Sequence, residues 1–347
     1  MRVLVAIDSF KGSATSSELN QAVKEGLMAA VPDMQVDTVA IADGGEGTLE
    51  SLYQALSGEF VTLEAPDLLG NPREVTYLLS ENRAFIETAS LLGIDKISPS
   101  PETFEQASSA GLANLVLDAL GRGCQQIFLT LGGTGTSDGG RGFLEKLTGQ
   151  TVLFEQVELI GLTDVRNPYA GPDGYARIFG PQKGGSPEQI EREDARALAF
   201  VEKIRVEQGL DLQAQAGSGA AGGLGGAILL LGGRLQSGFA SIADLIGLEE
   251  KLVQADVVIT GEGHLDRQSF QGKVPVSLVR LARKYHCPTI ALCGAIGGAD
   301  LSIYADFQAV FSIQTRVQSL SEAMEKETTL ENIRFVAGNI GRMIRMK

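Results

Sequence analysis

Carboxylates, glycines, hydroxyls and lysines recur in short clusters along this chain. The densest is Gly132-Gly133-Thr134-Gly135-Thr136-Ser137-Asp138-Gly139-Gly140. Glycine has no Cβ to hold an anion away from the backbone and tolerates positive φ, so such a loop can turn bare N–H groups toward phosphate oxygens. Residues 143–147 read as a helix, whose N-terminus would add its positive end to the same place. A tight strand–turn–helix connection has a similar composition, so this loop is informative only in company. The company is Asp8-Ser9-Phe10-Lys11-Gly12-Ser13, Asp43-Gly44-Gly45-Glu46-Gly47-Thr48, Gly261-Glu262-Gly263-His264-Leu265-Asp266 and Gly294. Together they suit a Mg2+-nucleotide site, because Mg2+ takes one or two carboxylates and completes its shell with phosphate oxygens and water.

Positive and amide groups come from two other stretches, Asp164-Val165-Arg166-Asn167-Pro168 and Phe179-Gly180-Pro181-Gln182-Lys183-Gly184. Arg166, Asn167, Gln182 and Lys183 are donors suited to a carboxylate or a transferring phosphoryl group. Gly272-Lys273 lacks the spacing of a P-loop, and Val274 follows it. Gly217-Ser218-Gly219-Ala220-Ala221-Gly222 matches a dinucleotide fingerprint by spelling. The preceding Asp211-Leu212-Gln213-Ala214-Gln215-Ala216 is a poor buried strand, so the match reads as a glycine-rich helix start instead.

Composition narrows the classes. The chain has 347 residues, enough for two domains, and 44% hydrophobic residues supply an ordinary core. No run approaches the ~18 apolar residues of a membrane span, and Asp8 interrupts the apolar start, which argues against a signal peptide. A formal charge of −14, with no stretch that looks like a basic stripe, argues against nucleic acid and requires local cations for any anionic substrate. Cys124, Cys287 and Cys293 lack metal-type spacing and read as reduced thiols of a cytoplasmic protein. The two histidines, His264 and His286, leave little room for a histidine triad or a histidine-rich metal site.

The elements that must position these groups follow a βα rhythm. Residues 3–7 form an uninterrupted apolar strand, 16–30 a helix, 36–42 a second strand and 49–56 a second helix. Stretches 60–63, 73–79 and 84–87 are strands separated by turns, as in an antiparallel insertion. One long helix is expected over 102–120 and a charged helix over 187–208, with strands again at 257–260, 289–293 and 309–313. The reading is an α/β protein of two domains. A discontinuous doubly wound parallel-sheet domain spans 1–58, 96–148 and 241–347, and an inserted α/β domain spans 59–95 and 149–240. All the acidic and glycine-rich loops then lie at the carboxyl ends of one sheet, where ligands of such sheets bind.

Taken together, these stretches resemble the type I glycerate kinase family. The resemblance rests on Asp8 to Ser13, Ala42 to Thr48, Gly132-Gly133 with Asp138-Gly139-Gly140, and Asp164-Val165 with Asn167-Pro168. It continues in Phe179 to Gly184, Gly219 to Gly223 and Ile259 to Gly263, with Asp266, Gln268, Ser269, Gly272, Lys273 and Pro275. It departs at Ile7, at Thr134 to Ser137, at His264 and in a shortened stretch over 149–164. The resemblance implies a flavodoxin/Rossmann-like domain carrying a second α/β domain, with the cleft between them. It also implies Mg2+- and ATP-dependent phosphorylation of D-glycerate, usually on the 2-hydroxyl.

On that reading Asp43, Glu262 and Asp266 hold Mg2+, while Gly132, Gly133, Thr134, Gly135, Thr136, Gly261, Gly263 and Lys273 bind nucleotide phosphates. Lys11 and Lys183 neutralise the transferring group. Asp138, with Asp164 second, orients or deprotonates the hydroxyl, and Asp8, Ser9, Arg166, Asn167 and Gln182 bind glycerate. The protein is expected to work as a monomer or homodimer, without nucleic acid or membrane. Rival readings are a dinucleotide oxidoreductase, a non-catalytic metabolite sensor and a kinase for another small hydroxy acid.

Overall fold

The computed structural model describes residues 1–45, 47–150, 154, 156–266, 269, 272–297 and 304–345. Among them run the strands β1 (Arg2–Ile7), β2 (Gln35–Thr38), β3 (Glu59–Pro66), β4 (Pro72–Ser80), β5 (Arg83–Glu87) and β6 (Gln126–Thr130). They continue with β7 (Glu158–Leu162), β8 (Arg234–Gln236), β9 (Val257–Leu265), β10 (Thr289–Ile296) and β11 (Ala309–Ser312). The chain divides into two compact units, Met1–Asp43 with Glu50–Leu56 and Phe239–Lys347, and Gly44–Leu49 with Ser57–Gly238. Cys124, Cys287 and Cys293 are buried free thiols. No described helix is long and apolar enough to cross a membrane.

The first unit is built on a sheet in the order β11-β10-β9-β1-β2, parallel at every pairing. Alternate residues of its strands bury on opposite faces. Val3, Val5, Ile7, Ile259, Ile290 and Leu292 pack with Leu19, Val23 and Leu27 of the helix Ser16–Ala30 and with Ile333 and Ala337 of the helix Lys326–Arg345. Ala291, Cys293 and Leu265 pack with Val276 and Val279 of the helix Val274–Lys284 on another cluster.

Helix Ser16–Ala30 starts in a capping box formed by Thr15 and Glu18. Its buried polar residues tie down the strand ends. Asn20 Oδ1 accepts from the Ile7 N–H and its Nδ2 donates to Val39 O. Ser16 Oγ donates to Ile7 O and accepts from the Ile41 N–H. These bonds explain why the strand expected over 36–42 stops at Thr38: part of the following backbone bonds to side chains instead of a ladder. They also fix where Asp8 and Asp43 emerge.

The second unit carries a six-stranded mixed sheet in the order β3-β4-β5-β6-β7-β8. β3, β4 and β5 pair antiparallel, as the turn-separated stretches predict, while β5 to β8 are parallel. Its main core joins Tyr77, Ile86, Ile127, Leu129 and Leu159 to Leu112, Leu115 and Val116 of the helix Leu112–Gly121.

This arrangement corrects the expected domain partition. Residues 96–148 do not join the sheet of β1, because β6 pairs with β5 on one side (Arg83↔Gln126) and β7 on the other (Gln126↔Glu158). The glycine loop after β6 therefore belongs to the mixed sheet, and the single carboxyl edge expected for all the loops is two separate edges. The helix expected over 102–120 is also two helices, Pro101–Gln106 and Leu112–Gly121, with residues 107–111 between them.

Candidate active site

In the first unit, strand ends assemble a group of carboxylates and one lysine. Asp8 follows β1, with its backbone N–H on Gly261 O and its Oδ1 accepting from the Ser9 N–H. Burial raises the Asp8 carboxyl well above the usual carboxylate range, and the nearby charges of Asp43 and Glu262 push the same way, against the Ser9 N–H and Lys273. Glu262 is 4% exposed. Burial raises its pKa as well, with Ser269 and Lys273 pulling it down without cancelling the effect. Lys273 Nζ donates to Glu262 Oε2 at 3.1 Å. Burial works to lower the lysine, but Glu262, with the charges of Asp266 and Asp43, raises the pKa overall. Asp266 closes on itself through an exchange with Ser269, whose Oγ accepts from the Asp266 N–H.

Glu262 Oε1 is buried with no hydrogen-bond partner among the described residues. An orphaned carboxylate oxygen beside two further carboxylates fits a cation. Among the described residues no group of three or more acidic, histidine or cysteine side chains is arranged to hold a metal by itself. One or two carboxylates, with the remaining positions taken by phosphate and water, is the pattern Mg2+ takes.

Gly261 and Gly263 prove to be strand residues, not a loop, because β9 continues to Leu265 beside β10. Gly261 lies between Ile7 and Leu292 in the sheet, and a Cβ there would sit 1.9 Å from Leu292 O. Lys11 is exposed on the turn closed by the Phe10–Ala14 bridge. Glu46 and Gln268 lie outside the described residues, as does part of the shortened stretch over 149–164.

In the second unit the glycine loop is more internally bonded than a bare phosphate cradle. The Gly135 N–H donates to Leu92 O, the Gly132 N–H to Gly44 O and the Gly139 N–H to Gly222 O. Thr136 is fully buried and Ser137 nearly so, and neither hydroxyl has a hydrogen-bond partner among the described residues. Gly133 stays exposed, with φ +72°, between half-buried Gly132 and buried Thr134, which bridges to Gly93.

Two of the expected catalytic groups lie inside this loop's supports. Lys183, 3% exposed at the end of a short 3-10 turn, donates from Nζ to Thr136 O at 2.6 Å. Burial pushes its pKa down to about 7, against the nearby charge of Asp138. Asp138 meets a geometry unlike that of a waiting base. Its Oδ2 accepts from Ser109 N (2.8 Å), Ser109 Oγ (2.8 Å) and Gly142 N (3.2 Å), and its Oδ1 from Gly140 N (3.1 Å).

Asp164 Oδ1 accepts from Ser237 Oγ and the Gly238 N–H. Asn167 donates to Asp173 O within its own loop, while Arg166 and Gln182 are exposed. Thus Asp138, Lys183 and Thr136 are brought together. Among the described residues no hydrogen bond joins Arg166, Asn167 and Gln182 to one another.

Residues outside the sequence-derived set complete the loop's support. Tyr169 OH donates to Gly139 O at 2.6 Å, and Tyr175 OH donates to Glu193, which also pairs with Arg141. Ser109 is the other omission, and Gly111 close behind it was the breaker signal that could have revealed a gap between helices. Residues 221–223 all have positive φ in the helical span Ala220–Leu230, and the strand a dinucleotide fingerprint needs is replaced by a 3-10 turn at Leu212–Ala214.

Comparisons agree with the whole chain, not one motif. The model of the glycerate kinase family matches residues 3–153 and 146–345. Glycerate kinase of Haemophilus influenzae is 33% identical over 379 residues, covering 100% of both chains. Glycerate 2-kinase of Escherichia coli (strain K12) is 34% identical over 355 residues, covering 93% of each. A crystal structure of a protein assigned as glycerate kinase 2 from Salmonella typhimurium LT2 superposes with a TM-score of 0.83 at 31% identity. It covers 100% of this chain and 98% of its own. With both sheets, both sets of loops and the full length included in these matches, the chain belongs to the glycerate kinase family.

Proposed function

We propose that this protein transfers the γ-phosphoryl group of Mg-ATP to the 2-hydroxyl of D-glycerate, giving 2-phosphoglycerate and ADP. The observation that carries the reading is family membership over the full length, with a relative in Escherichia coli named as a glycerate 2-kinase. The chemistry of the residues supports it. Phosphoryl transfer asks for positioning and charge neutralisation more than for a nucleophilic side chain, and this chain presents buried carboxylates, two lysines in partly or fully dry surroundings and an exposed glycine edge. We read the first unit as flavodoxin-like and doubly wound. With the second unit's strands left out, its order becomes 2-1-3-4-5, the order of that fold.

In this reading Glu262, Asp43 and Asp266 hold Mg2+, directly or through water, and Asp8 and Ser9 contact substrate beside them. Bound there, Mg2+ would neutralise charge on the phosphate oxygens. Lys273 keeps Glu262 oriented and reaches phosphate. Gly132, Gly133 and Thr134 offer the start of the glycine loop to phosphates, while Gly135 and Thr136 hold its shape. Gly261 and Gly263 bring a strand backbone, not a loop, to the phosphates. Lys11 supplies positive charge, and Lys183 does so only in its protonated form, below a pKa that burial brings down to about 7. Arg166, Asn167 and Gln182 bind the carboxylate, and Asp164 orients the hydroxyl. Three buried free thiols suit a reducing cytoplasm.

The test is ADP release from Mg-ATP with D-glycerate, L-glycerate, glycolate, lactate or tartronate. Release with D-glycerate alone is the expected result. Release with another acid would replace the substrate, and nucleotide binding without release would favour a sensor.

A further inference from the structure

We propose that Asp138 is a positioning residue that works through Ser109 to hold the glycine loop, and is not the acceptor of the substrate's hydroxyl proton. This rests on the reading above that the start of the loop, Gly132 to Thr134, binds phosphate.

The geometry is that of a clasp. Ser109 lies in the gap between the helices Pro101–Gln106 and Leu112–Gly121, and is fully buried. Its N–H and Oγ both donate to Asp138 Oδ2, and the same Oγ accepts from the Phe143 N–H at 3.0 Å. Asp138 also collects the N–H groups of Gly140 and Gly142 at the start of the helix Arg141–Leu147. One carboxylate therefore satisfies backbone donors from both segments, donors that the helix itself leaves unpaired at its first turn. Gly142 is shaped for this docking, since a Cβ there would lie 2.4 Å from Ser108 Oγ and 3.0 Å from Asp138 Oδ2.

Proton uptake at Oδ2 would displace one of three donors, and an incoming hydroxyl would compete with all of them. A residue placed to receive a proton needs an acceptor position facing the substrate, whereas Oδ2 of Asp138 is turned to Ser109 and Gly142 and Oδ1 to the Gly140 N–H. The Lys183 bond to Thr136 O and the Gly139 bond to Gly222 O fix neighbouring points of the same loop. Asp138 is thus one of several internal ties, and the only expected catalytic carboxylate among them.

The experiment compares Ser109→Ala, Asp138→Asn and the double variant with the wild type. It measures kcat and KM for ATP across pH, ADP affinity by calorimetry and amide exchange over residues 132–142. A positioning role predicts that Ser109→Ala raises KM for ATP and the ADP Kd about tenfold, the scale of one hydrogen bond to a charged group, with kcat changed less than about threefold. Asp138→Asn should move the same parameters further while keeping the acidic limb of the kcat profile where the wild type has it. The double variant should be no worse than Asp138→Asn alone.

A thousandfold fall in kcat for Asp138→Asn at unchanged KM, with the acidic limb lost and Ser109→Ala like the wild type, would overturn the proposal. Should Asp138→Asn fail to fold, Ser109→Ala decides: normal ADP affinity with normal exchange over 132–142 sinks the idea. The ADP affinity and exchange arms need no hydroxy acid, so they stand even if D-glycerate is not turned over.

Discussion

Lys183 and Glu262 are nearly excluded from solvent, at 3% and 4% exposed. Lys183 is held at about 7 by burial, whereas an unfolded lysine titrates near 10.5. Between those values the unfolded chain binds the extra proton, so stability rises with pH from about 7 to about 10.5. Below pH 7 both states are protonated and the full burial penalty stands. Urea unfolding of the wild type should therefore gain roughly 2–4 kcal/mol between pH 7 and 9.5 relative to Lys183→Met. Equal pH dependence in both proteins would mean that Lys183 is charged in the fold.

Glu262 is tested by its metal dependence. With Oε1 buried and without a hydrogen-bond partner among the described residues, Glu262→Gln should raise the Mg2+ concentration for half-maximal turnover about tenfold. An unchanged Mg2+ curve would move the cation elsewhere. At this scale the sequence marked a carboxylate at or just past the end of an apolar run, as at Asp8 and Glu262. It was silent about Ser109, because a serine within a run of helix-compatible residues carries no mark of the carboxylate it meets 29 positions later. Asp138 was conspicuous, but its four donors come from backbone and from Ser109, which no local pattern displays.

Elements were legible where periodicity was strong and the ends were punctuated. The charged helix Pro187–Gln208 begins at Ser186, whose capping box with Gln189 is readable in the sequence, and ends at Gly209 in the left-handed region. The short strands β7 and β8 were missed: β8 is only three residues, two of them exposed, and depends on pairing with β7 for its existence. β9 ran past its expected end because β10 continues to pair with it after β1 has turned away.

The left-handed turn at 221–223 shows the same dependence on context. Gly222 has φ +65°, and a Cβ would meet Thr136 O at 2.0 Å. Gly222→Ala should destabilise the protein by roughly 3 kcal/mol, through backbone strain and the clash together. Ala221→Gly, next to it at φ +52°, should be neutral or stabilising by up to roughly 1 kcal/mol. Chemical denaturation of the two variants checks this contrast, and equal effects would contradict the close approach.

For the whole molecule, the α/β class and the division into two parts followed from the βα rhythm and its interruption. The assignment of 96–148 did not. An apolar strand such as Ile127 to Thr130 has the same pattern in either sheet, and only its pairing with β5 and β7 shows which one it enters. Its glycine loop then belongs to the mixed sheet with Lys183, Ser109 and the 221–223 turn. The carboxylate group at Asp8, Asp43 and Glu262 belongs to the parallel one.

Family membership gives the chain its reaction, and the product of that reaction tests the account most directly. Mg-ATP and D-glycerate would be incubated with the protein and the product examined by proton and phosphorus NMR. The account predicts phosphorus coupled to the single proton on C2. Coupling to the C3 methylene protons would overturn the 2-hydroxyl assignment, and the absence of any phosphorylated glycerate would contradict the proposed activity itself.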